Sequence, residues 1–156
     1  MKKEIKAPNK IIDAGYTIFL AGSIEQGTAE NWQDKIVRLL KDEDVIIFNP
    51  RRDDWDSSWI QSIESPQFRE QVEWELKAME HADKILMYFD PTTKSPITLL
   101  ELGLFANSGK LIVVCPKGFW RKGNVDIVCL RYEVEQTKTL EEAIRILKKE
   151  EIKKEL

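Results

Sequence analysis

Apolar and polar positions follow two rhythms along this chain. Continuous apolar runs at Thr17 to Ala21, Val45 to Phe48, Lys84 to Phe89 and Leu111 to Cys115 read as short strands buried on both faces. Between them the spacing is helical. Residues 28–41 form an amphipathic helix with Trp32, Ile36, Leu39 and Leu40 inward, and a second helix is predicted from about Gln67 to Ala82. A third starts at Ser95-Pro96, a short fifth strand lies near Tyr132 to Glu135, and a terminal helix begins at Leu140.

Strands of this kind alternating with helices imply an α/β protein with a parallel sheet covered on both faces. The expected architecture is a five-stranded, flavodoxin-like or Rossmann-like sandwich. It forms a single domain over residues 1–156, with its core at about 17–148. Ligands of such sheets sit beyond the carboxyl ends of the strands. The segments to inspect are therefore Gly22-Ser23-Ile24-Glu25, Asn49 to Trp55, Asp90 to Ser95 and Pro116 to Asn124.

One helix breaks the pattern. Ser95 suits an N-cap and Pro96 the first helical position, and Ile97, Glu101, Leu104 and Phe105 then share a face. Leu99, Leu100 and Leu102 occupy the neighbouring faces, so no side reads as clearly wet. A carboxylate desolvated there must be paired, protonated or used.

Composition narrows the partners. A net charge of −3 provides no global field for nucleic acid or anionic membrane, and no segment approaches the ~20 apolar residues of a membrane helix. The two cysteines, Cys115 and Cys129, are too few for a disulfide framework and lack zinc spacing. Together with the missing signal-peptide core they lead to the expectation of a cytoplasmic protein. His81, the only histidine, suits a helix C-terminus. No metal site and no cofactor are expected, and no Ser-His-Asp arrangement is available.

The strand-end segments carry candidate binding groups. Gly22-Ser23 is a tight turn whose N–H groups could hold a hydroxyl or phosphate, or it is simply a βα connection. Asn49, Arg51, Arg52, Asp53 and Trp55 place guanidinium groups, carboxylates and an indole in one loop. They could read a heterocycle, or form a self-paired salt-bridge loop. Glu75 lies beside the stripe of Phe68, Val72 and Met79 with Gln71 one turn earlier, and an isolated Glu there more often faces solvent. By elimination, catalysis rests on carboxylates. A desolvated Glu suits nucleophilic attack on an acetal-like carbon through an oxocarbenium-like transition state, better than it suits phosphoryl transfer. A receiver-like module built on Asp90 would need an acidic pair where Gly22-Ser23 stand.

Five stretches in order bear a resemblance. Ile18-Phe-Leu-Ala-Gly-Ser-Ile24, Asn49-Pro-Arg-Arg-Asp-Asp-Trp55, Gln71-Val-Glu-Trp-Glu-Leu76, Ala82-Asp83 and Ser95-Pro-Ile-Thr-Leu-Leu-Glu-Leu-Gly103 resemble the nucleoside 2-deoxyribosyltransferase superfamily, most closely its nucleoside 2-deoxyribosyltransferase-like branch. The resemblance, over about residues 17–135, implies transfer of 2-deoxyribose between nucleobases through a deoxyribosyl-glutamate. It maps the nucleophile onto Glu101 and the sugar-holding acid onto Glu75, with Glu in place of the usual Asp. Asn124 would be lent to a neighbouring subunit, implying a homo-oligomer, at least a dimer, with a shared active site. Six residues before Glu101, where the transferases carry Asp, stands Ser95. That residue resembles the related 2'-deoxynucleoside 5'-monophosphate N-glycosidases, in which Ser helps bind the phosphate. The implied partner is a small nucleoside or nucleotide, with neither a nucleic acid polymer nor a membrane.

Overall fold

The structure, a computed structural model, describes residues 4–12, 14–22, 31–54, 56 and 58–151. In chain order the elements are β1 (Glu4–Lys6), β2 (Thr17–Gly22), α1 (Trp32–Leu39), β3 (Ile46–Asn49), α2 (Pro66–His81) and β4 (Lys84–Tyr88). Then follow α3 (Pro96–Phe105), β5 (Leu111–Val114), α4 (Lys122–Arg131), β6 (Glu135–Thr137) and α5 (Leu140–Ile146), which runs into a π-helical turn, Leu147–Glu151. The sheet has six strands in the order β1-β3-β2-β4-β5-β6, one more than the pattern predicts, and every pairing is parallel.

The extra strand is β1, whose three residues are too few to show a rhythm; it adds to the edge of β3, pairing Ile5 with Phe48. The fifth predicted strand is displaced to Glu135–Thr137, because the segment before it coils into α4.

Side chains alternate across the sheet with the two-residue period of a strand. Phe19, Ala21, Phe48, Ile85, Met87 and Val113 face a core closed by Trp74, Ala78 and Met79 of α2, Leu102 of α3 and Ala106 at its C-cap, and Val125 and Cys129 of α4. Ile18, Leu20, Ile47, Leu86, Ile112 and Val114 face the other core, closed by Trp32 and Ile36 of α1 and by Leu140, Ala143 and Ile144 of α5. Of the residues expected inward, Trp32, Ile36 and Leu40 are buried, Leu40 at the helix's C-cap, whereas Leu39 is partly exposed. Both cysteines are free and buried. Among the described residues, no helix is long and apolar enough to cross a membrane.

The strand order reverses between β2 and β4. The chain leaves β2 toward β3 on one side and returns across it to β4 on the other. This switch point opens a crevice at the carboxyl ends of the two strands. Their last residues, Gly22 and Tyr88, are register partners. A Cβ on Gly22 would lie 2.5 Å from the Trp32 ring and 2.6 Å from the Tyr88 carbonyl oxygen, so only glycine lets β2, β4 and α1 meet here.

Candidate active site

The connection from β4 to α3 is built by its own polar side chains. Asp90 accepts hydrogen bonds from the Thr92 backbone N–H (2.8 Å) and hydroxyl (2.6 Å), and the Thr93 hydroxyl donates to the Asp90 carbonyl (2.9 Å). The Thr93 and Ser95 hydroxyls lie 2.7 Å apart, both buried. Ser95 stands at the N-cap position but makes no side-chain cap bond, contrary to the reading from sequence. Its backbone is left-handed, at φ 48°. That conformation is costly for a residue with a Cβ, and such strain is concentrated at functional sites. Pro96 then opens α3 without an N–H to satisfy.

The helix has a dry face and an exposed apolar one. Thr98, Glu101 and Leu102 are buried, whereas Ile97, Leu100 and Leu104 are more than half exposed. Glu101 therefore points away from Ile97 and Leu104, not along with them. Only 7% of it is exposed.

A second carboxylate meets it from α2. Gln71, Trp74, Ala78 and Met79 form the buried face of that helix, with Glu75 half-buried beside them. Burial pushes the Glu75 carboxyl up to about 7, with the Gln71 amide one turn earlier pulling the other way. Burial, and after it the negative charge of Glu75, push Glu101 up to about 8. The structure thus brings Glu75 and Glu101 into electrostatic contact, and Glu75 is not the solvated surface acid its isolation suggests. The Gln71 amide N–H donates to the Pro50 carbonyl oxygen at 2.9 Å, at the start of the loop after β3.

That loop is largely engaged with itself. Arg52 donates to Asp54 (2.9 Å) and Glu70 (3.1 Å) and lies 5.0 Å from the Trp59 ring centroid; Asp53 pairs with Lys6 at 3.2 Å. Asn49, fully buried, donates to Glu4 (2.9 Å) and accepts from the Arg51 backbone (3.0 Å), so its amide ties the loop to β1. Arg51 is half-buried, and Asn124 is exposed in the first turn of α4. Ser23 and Trp55 lie outside the described residues. A cavity of about 430 Å³ opens along β1 between Glu4, Lys6, Asn9 and Asp53, but it touches neither Glu75 nor Glu101.

Other residues at this edge had no signal in the sequence. The Trp120 indole N–H donates to the Lys94 carbonyl (2.9 Å), and the Lys94 ammonium and Arg121 guanidinium lie 4.3 and 4.4 Å from its ring. This stack ties the connection after β5 to the one that carries Ser95. Gln33, in the first turn of α1, is fully buried with neither amide atom partnered among the described residues. Sequence alone could not single out either group, since each depends on contacts between distant segments. Among the described residues no cluster of acidic, His and Cys side chains forms a metal site.

The chain is an α/β protein whose helices α2 and α3 carry two desolvated carboxyls, the charge of one acting on the other. The sequence model of the nucleoside 2-deoxyribosyltransferase-like family matches residues 15–119, and the chain belongs to that family. The match contains Gly22, Glu75, Ser95 and Glu101 and stops before Asn124. No curated protein matches the chain.

Proposed function

We propose that this protein breaks the N-glycosidic bond of a 2'-deoxynucleoside and passes the deoxyribosyl group to a second nucleobase, through a covalent ester on Glu101. A Glu101 carboxylate oxygen attacks C1' as the C1'–N bond breaks, and the bonding pair leaves with the base nitrogen, which takes up a proton. Attack by an incoming base nitrogen at C1', with loss of that nitrogen's proton to solvent, then breaks the C1'–O ester bond and releases the Glu101 carboxylate. Glu75 orients the sugar. Gly22, Ser23 and Gln71 border the ligand, and the loop holding Asn49, Arg51, Arg52, Asp53 and Trp55 faces the base.

The observation that carries this reading is the burial of Glu101 with the charge of a second carboxyl, Glu75, acting on it. A desolvated carboxylate stabilises an oxocarbenium-like centre more strongly than a hydrated one does. Incubating the protein with deoxynucleosides and a competing base, and separating the products, tests it. New deoxynucleosides are expected with the wild type and none with Glu101→Gln. If Glu101→Gln turns over like the wild type, the role given to Glu101 is wrong.

Ser95 favours a second reading, hydrolysis of 2'-deoxynucleoside 5'-monophosphates with the same nucleophile and water as acceptor. It is held buried and left-handed at the mouth of α3, where a transferase-type Asp would stand. Release of free base from monophosphates without a second base, and its loss in Ser95→Asp through repulsion of the phosphate, would favour that reading.

The exposed Ile97, Leu100 and Leu104 of α3 and Ile127 and Leu130 of α4 support a homo-oligomer, at least a dimer. In it Asn124 would complete the partner's site.

A further inference from the structure

We propose that Thr93 and Trp120 are positioning residues for Glu101. They hold Ser95 left-handed, and the turn so fixed sets the roll of α3 that keeps Glu101 on its buried face. The inference rests on the role given to Glu101 above and adds what holds that carboxyl in place.

The side chains of α3 do not choose its inner face. Ile97, Leu100 and Leu104 are more than half exposed, while Thr98 and Glu101 are buried together with Leu102. Rolled the other way within one protomer, the helix would exchange Thr98, Glu101 and Leu102 for Leu100 and Leu104. Burial favours that exchange, since it rewards apolar surface and penalises a carboxyl. A restraint outside the helix must oppose the roll.

That restraint lies at the start of α3. The Ser95 carbonyl accepts from the Leu99 N–H at 3.0 Å, the first bond of the helix, so the Ser95 backbone aims the first turn. Its φ of 48° and ψ of 52° are disfavoured by its Cβ and again by Pro96, because a residue before proline is pushed toward extended backbone. Such a conformation persists only where its surroundings over-determine it. Two contacts do so. On the inside, the Ser95 hydroxyl lies 2.7 Å from that of Thr93, which donates to the Asp90 carbonyl at 2.9 Å. On the outside, the Trp120 indole N–H donates at 2.9 Å to the carbonyl of Lys94, in the peptide group that enters Ser95. The Lys94 and Arg121 side chains lie against the Trp120 ring and steady it. Thr93 thus ties the turn to the end of β4, and Trp120 ties it to the start of α4.

The test follows the two carboxyls by NMR titration of isotope-labelled glutamate, with Glu75→Gln and Glu101→Gln assigning the signals. Thr93→Val and Trp120→Phe each remove one hydrogen-bonding group and keep a similar shape, and thermal melts check that both are folded. In the wild type Glu101 should titrate at about 8. Each variant should lower that value by about one unit or more, toward the ~4.3 of a hydrated Glu. Adding Ser95→Gly to Thr93→Val should move it back up, because glycine adopts a left-handed φ without penalty. With a deoxynucleoside at pH 9, where Glu101 is largely ionised in every variant, kcat should fall by about tenfold or more as the attacking oxygen is displaced. A Glu101 value or a kcat unchanged in either folded variant overturns the role given to that residue. An equal fall at Glu75 would report general loosening and overturns the inference as a whole. If the wild type turns over no nucleoside, the N-glycosidic reading fails separately, and the titration, read without substrate, alone decides what holds the Glu101 carboxyl.

Discussion

Glu75 on α2 raises the proton affinity of Glu101 on α3, so the charge of one carboxyl is felt by another on a separate helix. Well below pH 7 the pair is neutral; as pH rises past about 7 and then about 8 its protons leave in turn. In the proposed reaction, attack on C1' needs Glu101 ionised. The acid limb of kcat/KM is therefore expected between about pH 7 and 8, far above the ~4.3 of an ordinary Glu. In Glu75→Gln the neighbouring charge is gone and the limb should move to lower pH, while burial keeps it above the ordinary value. A wild-type profile flat from about pH 5 to 9 would mean that neither carboxyl titrates in the working range.

The same shifts have a sign in stability. Both carboxyls bind protons more tightly folded than unfolded, so their contribution is fully present below the unfolded value near 4.5. It is lost progressively as pH rises to about 8 and is constant beyond. Glu101→Gln removes a group that must be buried charged at high pH. It should exceed the wild type by on the order of 3 kcal/mol at pH 9, about 6–12 °C in Tm, and match it near pH 4. Thermal melts at the two pH values check this, and equal melting temperatures at pH 9 would show that Glu101 is hydrated.

Much of the sheet was legible because buried parallel strands leave continuous apolar runs, as at Ile18 to Ala21 and Leu111 to Val114. β1 was not, since pairing with β3 decides it and not its own three residues. α4 was hidden for a related reason: Val125 and Cys129 are its buried residues, while Ile127 and Leu130 face outward, so no apolar stripe marks an inner side. On α3 the periodicity placed Glu101 with Ile97 and Leu104, whereas packing turned it to the opposite side, toward Glu75. An all-apolar helix cannot reveal which face is inside. Gln71 was recognisable only as a neighbour of Glu75; its bond to Pro50 spans two elements that the sequence does not bring together.

Gly22 gives a prediction independent of chemistry. Its missing side chain lets the Trp32 ring and the Tyr88 carbonyl approach within 2.5 and 2.6 Å of where a Cβ would sit. The carbonyl belongs to the paired strand and cannot swing aside as a flexible side chain would. Gly22→Ala must part β2 from β4 or push Trp32 out of its contact with Tyr88, whose ring centroid is 5.4 Å away. A loss of about 2–3 kcal/mol is expected in denaturant unfolding, with changed tryptophan fluorescence. A variant within about 0.5 kcal/mol of the wild type would show that the crevice is looser than described.

The apolar faces of α3 and α4 make the oligomer testable. Ile97, Leu100 and Leu104 recur at helical spacing with 59, 61 and 56% of their surface exposed, and Ile127 and Leu130 of α4 add 69 and 82%. Both helices cover the same side of the sheet, with Glu101 on the buried face of α3. A charge at Leu100 would be desolvated in any assembly that covers this face and harmless in a monomer. Leu100→Glu should therefore leave the thermal transition of the fold intact but convert the assembly to monomers in light scattering. Activity should fall with the assembly, because Asn124 would no longer reach a neighbour, and Asn124→Ala should lose activity while staying assembled. A wild type that is monomeric and fully active at micromolar concentration would remove the shared site.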